Sequence, residues 1–373
     1  MRAEINRLYN KGVRYIFPVH LVDNPFGGAA AYDSLFDVSS LRESGRPFAL
    51  MCAQPDKYPE DKDILDSNNG GFTYDDSGLT LPSVGAQLGE TGFAVWSIPY
   101  PKCPDGIGQK NSLGFTPSGH VAMKEMMRLG MLIDIDHMSQ ATADGALVLA
   151  QQFNYPVNIG HNGVRCVAPG TCNERALRAD QYKTIGSLHG MAGVGGAALD
   201  AQQWLALYKS VIQAMEAGAT SLPPIPGRPG NQPIAAGFGT DTNGLAFGMR
   251  PRGPVPGPDY QNYLACSRNI HRGGLPGGPI PLSDPCWDQF PQGLVWQTFQ
   301  YSAAFPQSTD GNKGWFYGWD GVAHYGMLWD FIQDVRTLPG GADMVDNNLM
   351  HGADYFWHTW QAAERQSSNP NLR

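Results

Sequence analysis

The pattern of apolar and polar positions predicts a series of helices, each followed or preceded by a short apolar strand. Apolar residues that recur at helical spacing predict helices at 1–10, 117–129, 141–153, 179–188 and 202–217. Short apolar runs predict strands at 13–19, 131–136, 156–160, 191–197 and 234–239. Thr116 and Pro117 are typical of a helix start, because threonine caps the first turn and proline fits its first position. This alternation predicts an α/β fold with a parallel sheet and helices outside it.

Two long stretches interrupt the alternation. Residues 21–112 separate the first two predicted strands, and residues 245–300 are rich in proline and glycine. The chain has 46 glycines and 29 prolines in 373 residues, which indicates many ordered loops. Because loops of this length in a compact domain are usually functional, we interpret 21–112 and 245–300 as insertions or lids within one domain spanning 1–373. The tail, residues 340–366, is predicted to be partly helical.

Composition narrows the function. The net charge of −8 and the lack of a basic run argue against nucleic-acid binding. Every apolar stretch is too short to predict a membrane span. Six cysteines without a C-x-x-C pair disfavour a zinc ribbon, and Cys166–Cys172 and Cys266–Cys286 are the natural local disulfides, with free thiols as the alternative. Disulfides favour a secreted or periplasmic protein, although this chain starts without the apolar core of a signal peptide.

Metal-competent side chains stand at the carboxyl ends of the predicted strands. Residues two apart in a strand share a face, which groups Ile133, Ile135 and His137, then Val157, Ile159 and His161, then Gly237, Gly239 and Asp241. His20 ends the first strand in the same way. Imidazole and carboxylate are zinc ligands, so this edge is a candidate metal site; hydrogen-bonded histidines are the alternative. Asp134 and Asp136 face the other side and are interpreted as bonding backbone, or as orienting a ligand.

The same residues carry a family resemblance. Gly114–Gly119 and Met126–Ser139 resemble the G-[LF]-T-P-x-G and N-R-L-G-M-x-[IV]-D-x-S-H-x-S motifs of the membrane (renal) dipeptidases, peptidase family M19. Residues 159–162, 237–244 and 12–20 are similar to its F-S-H-S, G-x-G-x-D-[FT]-[DN]-G and G-[VM]-R-Y-x-x-L-T-H strands. The resemblance runs in the correct order from residue 1 to residue 250 or so, and the run that ends at Ser139 is the specific one.

The resemblance implies a TIM-like (β/α) barrel of the metal-dependent hydrolase type and a set of roles. His137 and His161 would hold zinc, and Asp241 would be a metal ligand and the acid/base carboxylate beside it. His20 would contact the substrate, and Arg175 would pair with the substrate carboxylate. Arg165 and Arg178 are competitors of Arg175 because they lie close to it in the sequence.

The chain also departs from the family pattern. The family's H-x-D metal pair and its bridging glutamate lie before the first strand found here, and His324 follows the last strand instead of replacing them. We therefore expect an incomplete barrel that holds the last five of eight strands. Such a barrel would have two open edges and an uncovered core. Either the chain is a truncated product or gene model, or a separate chain, as in a homo-oligomer, supplies the missing strands, or the long insertions cover the gap.

Three functions follow as hypotheses. The first is a zinc-dependent hydrolase that cleaves an amide bond of a small peptide, with a zinc-activated water and Asp241 as the proton shuttle. The second is a truncated, catalytically silent barrel that binds a ligand or a partner chain. The third is sugar binding by the aromatic cluster of Trp315, Phe316, Tyr317, Trp319 and Tyr325, for which core packing is the alternative.

Overall fold

The computed structural model describes residues 1–66, 79–80, 97–98, 100–196, 199–219, 234–241, 248–250, 308–310, 313–315, 317 and 321–372. Its α-helices are α1 (Arg2–Asn10), α2 (Ser34–Ser44), α3 (Pro117–Arg128), α4 (Gln140–Gln152), α5 (Ala179–Ser187), α6 (Ala201–Glu216), α7 (Leu328–Arg336), α8 (Gly341–Asn347) and α9 (Gly352–Ser367). Its strands are β1 (Tyr15–Ile16), β2 (Leu50–Cys52), β3 (Leu79–Thr80), β4 (Ser97–Ile98), β5 (Gln109–Asn111), β6 (Leu132–Ile133), β7 (Ile159–Asn162), β8 (Ala192–Gly195), β9 (Gly237–Gly239), β10 (Ser308–Asp310) and β11 (Lys313–Trp315).

The chain divides into two compact units. The first contains Met1–Gly195, Ala206–Gly239 and Asn347–Arg373, and the second contains Gly196–Leu205 and Thr240–Asp346. The expectation of a single domain over the whole chain, with its two insertions, stays a prediction. Among the described residues, no helix has both the length and the apolar character needed to cross a membrane.

Five parallel strands of the first unit follow the predicted order. β1 pairs with β6, and β7, β8 and β9 form a three-stranded parallel sheet. A parallel bridge between Asp134 and Asn158 continues the line from β6 to β7. β6 ends at Ile133, although the Asp134 N–H still donates to the Ile16 carbonyl oxygen and the Ile135 N–H to that of Asn158, each at 2.9 Å. The Asp136 N–H donates instead to the Asp134 side chain at 2.8 Å, so backbone pairing does not reach the predicted end of the strand. The prediction of an α/β fold with parallel strands is confirmed.

Glycine allows the last three of these strands to approach one another. A Cβ atom on Gly193 would lie 2.1 Å from the carbonyl oxygen of Gly160, and one on Gly239 would lie 2.2 Å from the same oxygen. Both distances are far below van der Waals contact, so only a residue without a side chain fits at either position. The close approach places β9 directly beside the backbone of His161.

The predicted helices are present. In α9, which lies in the predicted helical tail, the buried face does not include Trp357. In α3, the Thr116 hydroxyl accepts a hydrogen bond from the Gly119 N–H at 3.0 Å, which is the predicted N-cap. α9 buries Tyr355, His358, Thr359, Ala362 and Ala363, whereas Trp357 is 55% exposed. The small residues of this face let α9 lie close to its neighbours, which turns the bulky indole outward.

The stretch 21–112 contains regular structure where the sequence predicts an irregular insertion. It holds α2, and β2 pairs with β5 in an antiparallel arrangement that places Cys52 opposite Gln109. A disulfide joins Cys52 to Cys103, a long-range pair that local spacing did not suggest. The predicted Cys166–Cys172 disulfide is present. Cys266 and Cys286 lie outside the described residues, as does most of the stretch 245–300.

The second unit has an aromatic core of its own. Trp204 packs edge-on against Phe331 with ring centroids 5.7 Å apart, and the Tyr317 hydroxyl donates to buried Asp334 at 2.9 Å. Tyr317 is therefore a core residue, whereas Tyr325 is 66% exposed. These two do not form one sugar platform; Phe316 and Trp319 of the predicted cluster, and the side chain of Trp315, lie outside the described part of the chain.

Candidate metal centre

The structure brings His137 and His161 together, and their Nε2 atoms face each other at 2.8 Å. His161 lies within β7. His137 lies just beyond β6 and has a φ of 65°, in the left-handed region that non-glycine residues rarely adopt. Strained backbone of this kind clusters at functional sites, because the surrounding structure must hold it in place. Here the His137 carbonyl oxygen accepts a 2.7 Å hydrogen bond from the Ala30 N–H.

Each imidazole has an oxygen partner behind it. The Nδ1 atom of His161 lies 3.1 Å from Oδ2 of Asp136, and the Nδ1 atom of His137 lies 3.0 Å from the hydroxyl oxygen of Tyr32. Partners of this kind set the ring orientation and the tautomer of histidines that bind metals through their other nitrogen. Sequence reasoning missed Tyr32, which lies in the predicted insertion and carries no signal of its role.

Asp136 is fully buried and holds the two histidine segments together. Its Oδ1 atom accepts from the His137 N–H at 2.9 Å and from the Asn162 side-chain amide at 2.7 Å. Its Oδ2 atom accepts from the His161 N–H at 2.9 Å. Asp136 thus bonds backbone, as expected, and also contacts an imidazole.

Burial and nearby charges favour a neutral imidazole at His137 beside an ionised carboxylate at Asp136. Burial lowers the pKa of His137 well below its usual range, and the nearby Arg175 lowers it further. Burial opposes ionisation of Asp136, but Arg175 and the two histidines hold the pKa of that carboxyl below its usual range. Burial and the charge of Asp136 raise the pKa of Asp134 well above normal. A neutral imidazole is the form that binds a metal ion.

Two aromatic residues that follow β1, Phe17 and His20, border the histidine pair. The exposed His20 ring lies edge-on to His137 at a centroid distance of 4.4 Å. The Phe17 ring lies 5.4 Å from the His20 ring and 6.2 Å from the His161 ring. His20 is therefore beside the histidine pair, as predicted from its place at the end of the strand.

Of the three candidate arginines, the structure places Arg175 beside the histidines. Its Nη2 atom donates to the His161 carbonyl oxygen at 2.9 Å and lies 3.6 Å from Asp136 Oδ2. Arg165 is buried and donates to the Ala176 carbonyl oxygen and to the Gln140 side chain, each at 2.8 Å. Its competitor Arg178 pairs instead with Asp144 at 2.8 Å and with Asp180 at 2.9 Å.

Asp241 directly follows Thr240 at the end of β9 and belongs to the second unit. Its side chain is exposed and its φ is 49°, again in the left-handed region. Its assignment as an acid/base residue and metal ligand stays a prediction.

The donor set fits a transition-metal ion. Asp136, His137 and His161 each offer one ligand atom, and these atoms all lie within 4.8 Å of one another. Imidazole nitrogen and carboxylate oxygen are the ligands that zinc takes in hydrolases. The two facing Nε2 atoms are the natural first ligands, because the carboxylate oxygens of Asp136 are already occupied by hydrogen bonds.

Comparisons with known proteins agree with the resemblance seen in the motifs. Residues 101–200 match the family model of membrane dipeptidase, peptidase family M19. Among solved structures, dipeptidase AC, a metallopeptidase of family M19, is 20% identical over 34% of this chain and 34% of its own, with a TM-score of 0.26. A metallopeptidase from Rhodobacter sphaeroides, solved with a phosphinate mimic of the dipeptide L-Ala-D-Ala, gives 20% identity, 34% of each chain and a TM-score of 0.26.

A third solved structure covers more of the chain. The probable dipeptidase PvdM from Pseudomonas aeruginosa is 16% identical over 68% of this chain and 55% of its own, with a TM-score of 0.29. The chain thus spans about a third of the length of the first two structures and about half of the third. Over residues 101–200 the chain is similar to the membrane dipeptidases of peptidase family M19, as its motifs predict.

Proposed function

We propose that this chain is a zinc-dependent hydrolase that cleaves an amide bond in a small peptide, in the manner of a dipeptidase. We also propose that its five parallel strands belong to a TIM-like (β/α) barrel, with the site at the carboxyl ends of the strands. The observation that carries the function is the pair of facing Nε2 atoms of His137 and His161, 2.8 Å apart, each with an oxygen partner behind its ring. The family match over residues 101–200 supports the same reading.

Different residues of the chain would bind the metal ion, bind the substrate and transfer the proton. Zinc, held by His137 and His161, would polarise the scissile carbonyl and make water a better nucleophile. The positive charge of Arg175 would attract the carboxylate of the peptide, and His20 would contact the substrate beside the imidazole pair. Asp241 would take a proton from water and return it to the leaving amine.

The first test is the zinc content of the purified chain, measured by elemental analysis on folded monomer. We expect bound zinc, and we expect His137→Ala and His161→Ala to lose it together with hydrolysis. His120→Ala is the matched control, because His120 is an exposed histidine of the same unit whose ring lies against Phe115, and it should keep both. The dipeptide L-Ala-D-Ala is a suitable first substrate, since a mimic of it binds the R. sphaeroides metallopeptidase.

The outcomes separate the hypotheses. A folded chain that holds no zinc would contradict the metal-hydrolase proposal. Zinc without hydrolysis of any dipeptide would favour the catalytically silent barrel. If Asp241 carries the proton, Asp241→Asn should lose hydrolysis while the histidine pair keeps its zinc; unchanged turnover would remove Asp241 from the mechanism. About two zinc ions per chain would mean that further ligands come from outside the histidine pair, for example from a second copy in a homo-oligomer.

A further inference from the structure

We propose that Asp136 is a positioning residue that fixes His161 in the tautomer with its proton on Nδ1, so that a lone pair and not an N–H faces the metal site from Nε2. The proposal rests on the proposed function for its purpose, but the tautomer itself is a property of the chain and can be measured without metal or substrate. The proposal concerns Nδ1 of His161, the ring nitrogen that does not face His137, and its contact with Asp136.

The hydrogen bonds of Asp136 leave it no capacity to act as a donor. Its Oδ1 atom accepts from the His137 N–H and the Asn162 amide, and its Oδ2 atom accepts from the His161 N–H. The His161 Nδ1 atom is a further neighbour of Oδ2, at 3.1 Å. Arg175 adds a positive charge 3.6 Å from the same oxygen. A carboxylate surrounded by donors in this way is an acceptor only.

The tautomer of His161 follows from that property. An unprotonated Nδ1 would place its lone pair 3.1 Å from an acceptor oxygen, which is repulsive, so we infer that Nδ1 carries the proton and that this proton is attracted to Oδ2. In the neutral ring the lone pair then lies on Nε2. That atom faces Nε2 of His137 at 2.8 Å, where the metal ligands of the proposed site converge.

His137 has a partner that does not fix its tautomer. The hydroxyl of Tyr32, 3.0 Å from Nδ1 of His137, can rotate to donate or to accept. Tyr32 therefore permits either tautomer of His137. In the metal-free chain the Nε2 lone pair of His161, 2.8 Å away, then requires the His137 proton on Nε2, whereas a bound metal ion would require it on Nδ1. The two histidines of the site are unequal, and the carboxylate is the source of the difference.

Asp134 is a matched control for Asp136. It lies two residues earlier, is equally buried, and accepts hydrogen bonds from the Tyr15 hydroxyl and from the Asp136 N–H. Neither of these hydrogen bonds involves a histidine. Asp134→Asn therefore removes a buried carboxylate from the same segment without changing the partner of His161.

The direct test is the tautomer of His161 in the metal-free wild-type chain, read from two-bond ¹H–¹⁵N correlations of the imidazole above its titration range. We expect the proton on Nδ1 of His161. A proton on Nε2 would overturn the proposal, whatever the chain binds or hydrolyses. This result does not depend on whether the chain is a hydrolase, so its failure and that of the proposed function are distinguishable.

The second test is Asp136→Asn. The asparagine has one acceptor oxygen for four donors, and an amide N–H placed at the Oδ2 position forces His161 Nδ1 to accept and moves the proton to Nε2. We expect this change of tautomer, together with a loss of zinc affinity of about 10- to 100-fold by chelator competition. Asp134→Asn should leave the tautomer as it is in the wild-type chain.

Each outcome decides the matter. A shifted tautomer in Asp136→Asn with an unshifted one in Asp134→Asn supports the positioning role. The same tautomer in all three proteins overturns it. Should Asp136→Asn fail to fold, the wild-type measurement alone still supports or overturns the assignment.

Discussion

Replacing both Cys52 and Cys103 with serine is expected to lower the free energy of unfolding by about 4 kcal/mol. Their disulfide closes a loop with a sequence separation of 51, and a cross-link of that length removes much of the conformational entropy of the unfolded chain. It also joins β2 to the segment that leads into β5, where the Gln109 side chain donates to the Pro101 carbonyl oxygen at 3.0 Å. Urea unfolding under non-oxidising, non-reducing conditions measures the change.

The second disulfide provides the control. Cys166 and Cys172 have a sequence separation of 6, so replacing both with serine should cost about 2 kcal/mol on the same entropy argument. Equal losses for the two pairs, or a larger loss for the short loop, would contradict the explanation from loop length. Both double variants keep every charge of the histidine site, so neither is expected to change the tautomer of His161.

Replacing Glu174 with alanine is expected to cost about 3 kcal/mol or more, because Glu174 is the acceptor for three buried backbone N–H groups. Its Oε2 atom accepts from Ala31 and from Asn111, each at 2.8 Å, and its Oε1 atom accepts from Gln140 at 3.0 Å. These donors belong to three separate segments: the loop before α2, the end of β5 and the first turn of α4. Denaturant unfolding checks the loss, and Glu43→Ala, an exposed glutamate of α2, should stay within about 0.5 kcal/mol of the wild type.

The same carboxyl predicts a pH dependence with a defined sign. Burial raises the pKa of Glu174 to about 7 from an ordinary value of 4.5, although three backbone N–H groups act in the opposite direction. The folded chain therefore holds a proton that the unfolded chain releases between these two values, so the stability from this group is present below pH 4.5 and decreases as the pH rises to 7. The decrease is roughly 3 kcal/mol.

Comparison of the wild type with Glu174→Gln isolates this contribution from those of other titrating groups. The glutamine cannot ionise, so the difference in unfolding free energy between the two proteins should become less favourable to the wild type across that pH window. A difference that stays constant or grows in favour of the wild type would contradict the buried, protonated state. The position of Glu174 also matters for the site, because its neighbour Arg175 contacts Asp136 and the loop that it anchors at Ala31 carries Tyr32.

The regular part of the fold is largely visible in the sequence, for a local reason. Apolar periodicity and Thr116–Pro117 predict five of the helices within a residue or two, and the five apolar runs predict the five parallel strands; α2 and α7 are not predicted. The ends of the strands are less predictable. Backbone pairing after β6 ends at Asp136, whose N–H donates to the Asp134 side chain, and hydropathy does not reveal such a competition.

Only part of the candidate metal centre could be predicted from the sequence. Strand-end histidines, together with the motifs around His137, predict that His137 and His161 meet, and the structure brings them together. Strand alternation is not the full explanation, because His137 reaches the site through a left-handed turn and not as part of β6. Tyr32 could not be predicted, since its contact with His137 joins positions 105 residues apart and depends on how the segment after β1 folds back.

The sequence by itself determined five of the helices, the five parallel strands and their α/β order, the resemblance to the membrane dipeptidases and the two histidines, because each depends on local periodicity or on a contiguous motif. Tertiary structure decided the rest: the Cys52–Cys103 pairing, the three donors gathered by Glu174, and the choice of Arg175 over Arg165 as the arginine beside the histidines. It also decided that Asp136 lies beside an imidazole, with its Oδ2 atom 3.1 Å from Nδ1 of His161. These features depend on contacts between distant segments, whose geometry is fixed only when the hydrophobic core brings the segments together.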